Sequence, residues 1–429
     1  MTGRPPLIGR HRHSRTVEAW KSLGPGLITG AADDDPSGIA TYSQAGAQFG
    51  LGMLWTVIVT YPLMAGFQQL VAEIGRVTGE GLAANIRKIF PRWLLSVMLL
   101  MLVVANTINI AADVAAMGEA AGLLLPKAWI STYTIVFGIV CLVLEVLIPY
   151  RSYSQVLKWL TLALLSYVAI VFTVKAPWGE VARGALLPHI DFNRASLMMI
   201  VAIFGTTISP YLFFWQSSQE VEELDANHAA HALKGAPDEA PGEMRRITLD
   251  TWIGMAVSNL VAFFIILTTA LTLHAHGVTD ITTTAEAASA LKPIAGPLAF
   301  GLFALGVIGT GMLAVPVLAG SAAYAVAEAR GWPHGLNRKL NEARGFYGII
   351  GLATMGGLAL VFSGFDPIRA LVWAAVINGF VAAPIMAVTM LLVSRKDVMG
   401  AFTAPVWLQV LGWAATLLMA VAAVGMVLA

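Results

Sequence analysis

Long apolar runs, each about as long as a membrane-spanning helix, follow one another along the whole chain. A helix that crosses the hydrocarbon core of a bilayer needs roughly 20 apolar residues. Lipid offers no partner to backbone polar groups, so these continuous runs are predicted to be helices. The pattern predicts eleven spans, at residues 22–48, 51–75, 93–123, 129–149, 154–174, 196–221, 247–273, 296–328, 346–363, 367–393 and 403–428.

Composition leads to the same conclusion. Hydrophobic residues make up 57% of the 429 residues and charged residues only 12%, about half the charged fraction of soluble domains. The mean hydropathy is +0.74. We therefore predict an all-α polytopic membrane protein, with residues 1–429 forming a single transmembrane domain in the lipid bilayer.

Several functional classes are disfavoured by the sequence. A net charge of +1 predicts no bulk affinity for nucleic acid. No nucleophile–base or metal-hydrolase motif occurs, so we do not expect an enzyme or a resident cofactor. The single cysteine, Cys141, cannot form an internal disulfide, and no segment suggests an obligate protein partner.

The positions of Lys and Arg predict the orientation. Twenty of the 26 Lys and Arg residues fall on one side if the spans alternate in direction. Cytoplasmic loops of membrane proteins carry the excess of these residues. We predict a cytoplasmic N-terminus, a C-terminus outside and a location in a bacterial inner (cell) membrane.

Two of the predicted spans are interrupted by a proline next to small or polar residues. The first span contains "DDDPSG" around Pro36, and the sixth contains "GTTISPY" around Pro210. Five spans, an odd number, separate the starts of these elements, so the two units should be inverted relative to one another. Paired interruptions in two inverted halves indicate a transporter binding site. The predicted repeats are residues 22–174 and 196–393, followed by an extra helix at 403–428.

Three adjacent carboxylates distinguish the first interruption from the prolines of spans 8 and 10, which need only kink their helices. An ionised Asp at the bilayer centre costs about 2.5–3.5 kcal/mol on insertion scales. Asp33, Asp34 and Asp35 must therefore face a water-filled cavity, a bound cation or both. Adjacent helical residues point about 100° apart, so a regular helix cannot direct all three into one site.

Oxygen atoms are the donors that both interruptions offer. Unwinding at the first interruption would expose backbone carbonyl groups beside the carboxylates. In the sixth span, Thr206 can supply a backbone carbonyl and Ser209 a carbonyl or a hydroxyl. Such oxygen ligands suit hard divalent cations. Neither interruption contains cysteine or methionine, so neither offers a soft ligand.

The first interrupted stretch, "LGPGLITGAADDDPSGIATYSQAGAQFGLGMLW", resembles the helix 1 signature of the Nramp family of divalent metal transporters. In that family a GPG segment leads into Asp-Pro-Gly-Asn, then an Ala-Thr and a QAGA-type run. The segment "GTTISPYLFFWQSS" is similar to the family's helix 6, whose centre is Met-Pro-His. The resemblance covers nearly the whole chain in span count and topology. It implies a LeuT-type fold, with inverted five-helix repeats and a metal held between the unwound parts of helices 1 and 6.

The resemblance also implies roles for individual residues in helices 1 and 3. The family's metal-binding Asp falls on Asp35 and its proline on Pro36, whereas its Asn ligand falls on Gly38. On helix 3, "AADVAAMGEA" looks like the family's acidic proton-relay segment. Its Asp falls on Asp113, but its Glu falls on Ala116.

On helix 6 the family's carbonyl ligand falls on Thr206, its metal-binding Met on Ser209 and its His on Tyr211. Without the thioether only hard oxygen donors remain, which suit Mg²⁺, Ca²⁺ or Mn²⁺. Gly38 and Ser209 are smaller than the family residues and widen the site. A wide site suits Mg²⁺, which usually keeps several waters.

This pattern resembles the Nramp-related magnesium transporters more closely than the manganese and iron importers. The favoured hypothesis is a secondary transporter that imports divalent cations by alternating access, with Mg²⁺ preferred and Mn²⁺ also transported. Proton coupling is expected to be weak or absent, because the family's His and Glu are missing. Alternatives are a proton-coupled Mn²⁺/Fe²⁺ importer, an organic-solute symporter of the same fold and a cation channel.

Other polar residues are candidates for a second layer or a pathway. Asp113 and Glu119 belong to a polar stripe that either lines an aqueous path or packs the third span as a buried network. Asn378 lies near the position of a metal-proximal Gln in the family. Gln216 either lines an inner vestibule or marks a helix end. The acids around Glu220 are predicted to be a solvated charge run.

Overall fold

The structure is a computed structural model, which describes residues 25–148, 165–171, 176–188, 190, 192–226, 230–364 and 366–428. Every regular element in these ranges is a helix, which confirms the all-α prediction. The α-helices are α1 (Pro25–Asp33), α2 (Pro36–Phe49), α3 (Leu54–Thr78), α4 (Leu82–Ile89), α5 (Arg92–Gly122), α6 (Ile130–Leu147), α7 (Leu165–Val171), α8 (Trp178–Leu186), α9 (Arg194–Thr207), α10 (Pro210–Ala226), α11 (Ala240–Thr272), α12 (Thr284–Ser289), α13 (Lys292–Ala295), α14 (Ala299–Arg330), α15 (Arg344–Val361), α16 (Pro367–Val393), α17 (Lys396–Met399) and α18 (Val406–Leu428).

Nine stretches of the described residues are long and apolar enough to cross a membrane. One of them, Pro36–Thr78, has 43 residues and would be about 65 Å long as one helix, roughly twice the hydrocarbon thickness of a bilayer. It contains the second half of the first span, α2, and the whole of the next span, α3. The 3₁₀ turn Gly50–Met53 separates them. Ten of the eleven predicted spans thus correspond to described helices. The predicted span 154–174 lies mostly outside the described residues, which include only Leu165–Val171 of it.

Both predicted interruptions are present. The first separates α1 from α2, which begins at Pro36, and the second separates α9 from α10, which begins at Pro210. Proline is favourable in the first turn of a helix, because the backbone N–H that it lacks has no partner there. By contrast, Pro316 and Pro384 lie inside the continuous helices α14 and α16. Proline alone therefore does not interrupt a helix in this protein.

Small residues bring the interrupted helices close to their neighbours. A Cβ atom on Gly30 of α1 would lie 2.4 Å from the Gly254 carbonyl oxygen of α11, and a Cβ atom on Gly46 of α2 only 2.2 Å from that of Ile266. Glycine permits such close helix packing in membrane proteins. Helix α11 thus packs against both halves of the first interrupted helix.

Candidate cation-binding site

Asp35 lies between α1 and α2 and caps the second of these helices. Its backbone is extended, with φ −68° and ψ 167°, and its Oδ1 accepts the N–H of Gly38 at 2.6 Å. Asp is a preferred N-cap residue because its side chain satisfies an otherwise unpaired N–H group. The Tyr211 hydroxyl donates towards Asp35 Oδ2 and the Ala32 carbonyl oxygen, at 3.4 Å each. Tyr211 therefore contacts the predicted metal ligand directly.

The second interruption ends α9 at Thr207 and leaves Ile208 and Ser209 outside the helices. The Ser209 hydroxyl lies 2.6 Å from the Thr206 carbonyl oxygen and 3.0 Å from that of Gly205. Two predicted ligands therefore contact each other. A carbonyl oxygen has two lone pairs and a hydroxyl oxygen can still accept a bond, so both groups retain capacity to bind a cation.

The two interruptions meet at Gly38. A Cβ atom there would lie 3.3 Å from Thr206 Oγ1 and 3.4 Å from Asp35 Oδ1. Close by, the Tyr42 hydroxyl and Thr207 Oγ1 are 2.8 Å apart and connect α2 to α9. The structure thus brings Asp35, Gly38 and Thr206 together, as predicted.

Asp33 and Asp34 face a different neighbour. Ser258 Oγ on α11 lies 2.9 Å from Asp33 Oδ2 and 3.0 Å from Asp34 Oδ1. No local pattern in the apolar run around Ser258 predicted this contact, which joins residues more than 200 positions apart. The three acids divide into two groups, in agreement with the geometric expectation that one helix could not direct all three to one point.

A fourth carboxylate comes from α5. Asp113 is fully buried, and it interacts electrostatically with Asp35 and with the backbone N–H of Ser37. Asp33, Asp34 and Asp35 are each at most 5% exposed. Across the described part of the chain, none of these four acids forms an ion pair with Lys, Arg or His. A buried charge without a partner is strongly unfavourable, so the site is suited to cations.

The other predicted pathway residues have no hydrogen bond to these four acids among the described residues. Glu119 accepts a hydrogen bond from Thr284 of α12, and Gln216 accepts one from Thr29 of α1. Asn378 is buried on α16 with its Oδ1 unpartnered. Gln216 therefore connects the two half-helices α1 and α10.

The polar stripe of α5 has two parts with different surroundings. The Asn106 side-chain amide donates to the Leu318 carbonyl oxygen at 2.8 Å and lies 2.9 Å from Ser321 Oγ on α14. Asn109, about one turn further along α5, is buried without a hydrogen-bond partner for its side chain. Asn106 thus packs α5 against α14, whereas Asp113 interacts with Asp35.

In the part of the chain that is described, no three His, Cys, Asp or Glu side chains are arranged to hold a metal ion. The donors around Gly38 instead combine one carboxylate with carbonyl and hydroxyl oxygens. A cation bound there would keep some of its waters, as Mg²⁺ usually does in proteins.

Two cavities lead towards the site along α2 and α16. The outer one, of about 210 Å³, is lined by residues that include Gln44, Asp280 and Arg369. The inner one, of about 20 Å³, is lined by residues that include Pro36, next to Asp35. Ile281 and Ile368 line both. The two cavities therefore neighbour each other along α2, and the smaller one lies beside the first interruption.

Membrane-spanning helices, two of them interrupted at a buried group of acids, define an integral membrane protein of the LeuT-type transporter fold. The chain belongs to the Nramp family, since the family model described as natural resistance-associated macrophage protein-like matches residues 26–429. This confirms the family suggested by the two interrupted segments.

Similar proteins agree with this assignment. The divalent metal cation transporter MntH of Mycobacterium tuberculosis (strain CDC 1551 / Oshkosh) is 28% identical over 374 residues, which cover 84% of this chain and 80% of that protein. MntH of Verminephrobacter eiseniae is 27% identical over 418 residues, with coverage of 95% and 88%.

Solved structures confirm the fold. A manganese transporter from Eremococcus coleocola, in complex with an aromatic bis-isothiourea substituted compound, gives a TM-score of 0.72 at 18% identity, covering 98% of this chain and 90% of that chain. A nucleobase-cation-symport-1 family transporter in a closed conformation gives 0.58 at 14% identity, covering 95% and 90%.

Proposed function

We propose that this protein is a secondary transporter that imports divalent metal cations by alternating access. The observation that carries the proposal is the presence of four buried acids, Asp33, Asp34, Asp35 and Asp113, near the junction of two interrupted helices, without an ion pair to Lys, Arg or His among the residues that the structure describes. A divalent cation would offset the negative charge of the acids that are ionised. The names of the MntH relatives, which describe divalent metal cation transporters, support the same substrate class.

Within this function, Asp35 is the direct carboxylate ligand and Thr206 contributes its backbone carbonyl. Ser209 supports that carbonyl and offers its own oxygen, while Gly38 leaves the space that the cation occupies. Asp33 and Asp34 add negative charge from the side of α11. Tyr211 donates a hydrogen bond to Asp35, and Asp113 interacts with Asp35 electrostatically.

We infer that Mg²⁺ is the preferred ion and that Mn²⁺ is also transported. The support is the donor set, since the two polar atoms nearest to Gly38, Thr206 Oγ1 and Asp35 Oδ1, are hard oxygen donors. The second candidate is a proton-coupled Mn²⁺/Fe²⁺ importer. It is favoured by the position of Asp113 beside Asp35 and by the neighbouring structure of a manganese transporter.

We also propose a cytoplasmic N-terminus and an outer C-terminus, in a bacterial inner membrane. The distribution of Lys and Arg supports this orientation. In it, the cavity of about 210 Å³ opens to the outside. The ion pairs of Arg76 with Glu243 and of Arg246 with Glu220 lie at the cytoplasmic end.

The test is uptake of Mg²⁺ and Mn²⁺ into proteoliposomes by the Asp35→Ala variant. Loss of the direct ligand should abolish uptake, because the remaining donors around Gly38 are uncharged. Asp238→Ala, a substitution of an exposed Asp far from the interruptions, serves as the matched control and should transport at the wild-type rate. Uptake by Asp35→Ala at that same rate would refute the proposed function.

A further inference from the structure

Ser258 of α11 is the residue that joins Asp33 and Asp34 to the rest of the bundle. Its Oγ lies 2.9 Å from one carboxylate and 3.0 Å from the other. Ser258 is itself buried, at 2% exposure. Among the described side chains, no other hydrogen-bond partner of these two carboxylates is found, and Asp33 Oδ1 has none. One hydroxyl is therefore responsible for holding both acids.

The end of a helix makes this double contact possible. Helix α1 ends at Asp33, and Asp34 lies in the bend that follows. In a continuous helix the two side chains would point about 100° apart, whereas here both reach the same atom. Asp33 is close enough to Asp34 and Asp35 to interact electrostatically with both. The position of the pair thus affects the field at the Asp35 carboxylate.

The position of Ser258 is fixed by its own neighbours on α11. One turn earlier, Gly254 is in close backbone contact with Gly30 of α1. The next residue, Asn259, donates its side-chain amide to the Val57 carbonyl oxygen of α3 at 3.0 Å. Ser258 is therefore held relative to both α1 and α3, and it transmits that position to the two acids.

A single hydroxyl cannot satisfy two carboxylates. It has one hydrogen, which it donates to one acceptor at a time. The second carboxylate oxygen then approaches the Ser258 oxygen with no hydrogen between them. This contact would be relieved by a cation in front of the pair, or by a proton on the second carboxyl group, which would then donate to the Ser258 oxygen.

We propose that Ser258 is a positioning residue for cation binding. It holds the carboxylates of Asp33 and Asp34 towards the hydration shell of the cation bound at Asp35, and so sets cation affinity. This inference rests on the proposed function, because it assigns Ser258 a part in binding the same transported ion. Ser258 acts through the two acids and is not itself a ligand.

The test compares Ser258→Ala with Ser258→Thr, which keeps the hydroxyl, in proteoliposome uptake of Mg²⁺ and Mn²⁺. Loss of a hydrogen bond to a charged group should raise the KM of Ser258→Ala about tenfold. The maximal rate should stay within about twofold, because turnover depends on helix motion and not on this bond. Ser258→Thr should restore the wild-type KM.

A second measurement makes the result independent of how well threonine fits. In a protein that already carries Asp33→Asn and Asp34→Asn, adding Ser258→Ala should change KM by less than about twofold, since the negative charge that Ser258 positions is already lost. An unchanged KM in Ser258→Ala alone would overturn the inference, as would a fall in maximal rate at constant KM. So would a tenfold rise in KM that persists in the double Asn background. The Asp35→Ala variant distinguishes failure of the proposed function from failure of the role of Ser258. If Asp35→Ala abolishes uptake while Ser258→Ala leaves KM unchanged, only the role of Ser258 is refuted.

Discussion

A Cβ atom at Gly38 would lie 3.3 Å from Thr206 Oγ1 and 3.4 Å from both Asp35 Oδ1 and Tyr42 Cε2. Distances of this size are tight but possible, so a side chain at this position would fit only by filling the space between the two interrupted helices. That space borders two of the predicted ligands, Asp35 and Thr206. The absence of a side chain at Gly38 therefore determines how much room remains between them.

We predict that Gly38→Asn shifts selectivity from Mg²⁺ towards Mn²⁺. The amide oxygen would replace one or more waters and narrow the site, which disfavours Mg²⁺ because that ion gives up water reluctantly. We expect the ratio of Mg²⁺ to Mn²⁺ uptake rates to fall on the order of tenfold, equivalent to about 1.4 kcal/mol. Uptake of both ions by the same proteoliposome preparation gives this ratio.

Gly52→Asn is the matched control, because a Cβ atom at Gly52 has no atom within 4 Å. Its uptake ratio should equal that of the wild type. If Gly38→Asn also leaves the ratio unchanged, the size of the site does not determine which ion is preferred.

The sequence predicts which residues meet at the two interruptions better than it predicts the contacts around them. Asp35 and Gly38 are neighbours in one short segment, and Thr206 follows from the second interruption. The contact of Ser209 with the Thr206 carbonyl depends on how α9 ends. The residue types alone do not reveal this. The role of Ser258 depends on a partner more than 200 residues away, and no periodic pattern encodes such a contact.

The half-helix α1 is held against α11 by contacts that tolerate no added atom. A Cβ atom on Gly30 would lie 2.4 Å from the Gly254 carbonyl oxygen. One turn earlier, the Gly26 N–H donates to Asp250 Oδ2 at 2.6 Å. These close contacts between α1 and α11 fix the acids at the end of α1 relative to Ser258.

Gly30→Ala is expected to destabilise the protein, because the added methyl group would push α1 away from α11. Overpacking of this kind typically costs about 1–3 kcal/mol. A lower melting temperature of the detergent-purified protein, together with slower Mn²⁺ uptake, would be the observed result. An unchanged melting temperature would show that α1 and α11 can move apart without loss of stability.

Gly301→Ala, in α14, is the corresponding control. Its Cβ atom would meet no atom within 4 Å, and alanine favours a helix over glycine by up to about 1 kcal/mol. Its melting temperature should be equal to or higher than that of the wild type.

At the scale of whole elements, the apolar runs predict the helices well because each run is long enough to cross the bilayer. The interruptions were predicted because proline coincides with polar residues at both positions. Pro316 and Pro384 lie in continuous helices, where the adjacent residues are apolar. The limits of the two repeats, 22–174 and 196–393, remain a prediction.

The two ends of the bundle differ. At the end predicted to be cytoplasmic, Arg76 pairs with Glu243 and Arg246 pairs with Glu220. The expectation that the acids around Glu220 form a solvated run is wrong for Glu220, which is fully buried. Its partner Arg246 lies on the next long helix, so the local sequence gave no indication of the pair. The opposite end contains the cavity of about 210 Å³.

The last prediction concerns the whole transport cycle and asks whether protons move together with the metal ion. Tyrosine ordinarily has a pKa near 10, whereas histidine has one near 6.5. Tyr211 therefore does not provide the neutral-pH proton exchange that a histidine at its position would. Ala116 likewise offers no carboxylate one turn from Asp113. We expect Mg²⁺ uptake to carry little or no linked proton flux.

A pH-sensitive dye inside the proteoliposomes measures this flux while Mg²⁺ or Mn²⁺ is added outside. The wild type should take up either ion without acidifying the lumen beyond the change seen in protein-free liposomes. Asp113 provides a specific route to the opposite result, because it is fully buried and interacts electrostatically with Asp35. Acidification that accompanies uptake in the wild type and disappears in Asp113→Asn would contradict the prediction, and would favour the proton-coupled Mn²⁺/Fe²⁺ importer instead.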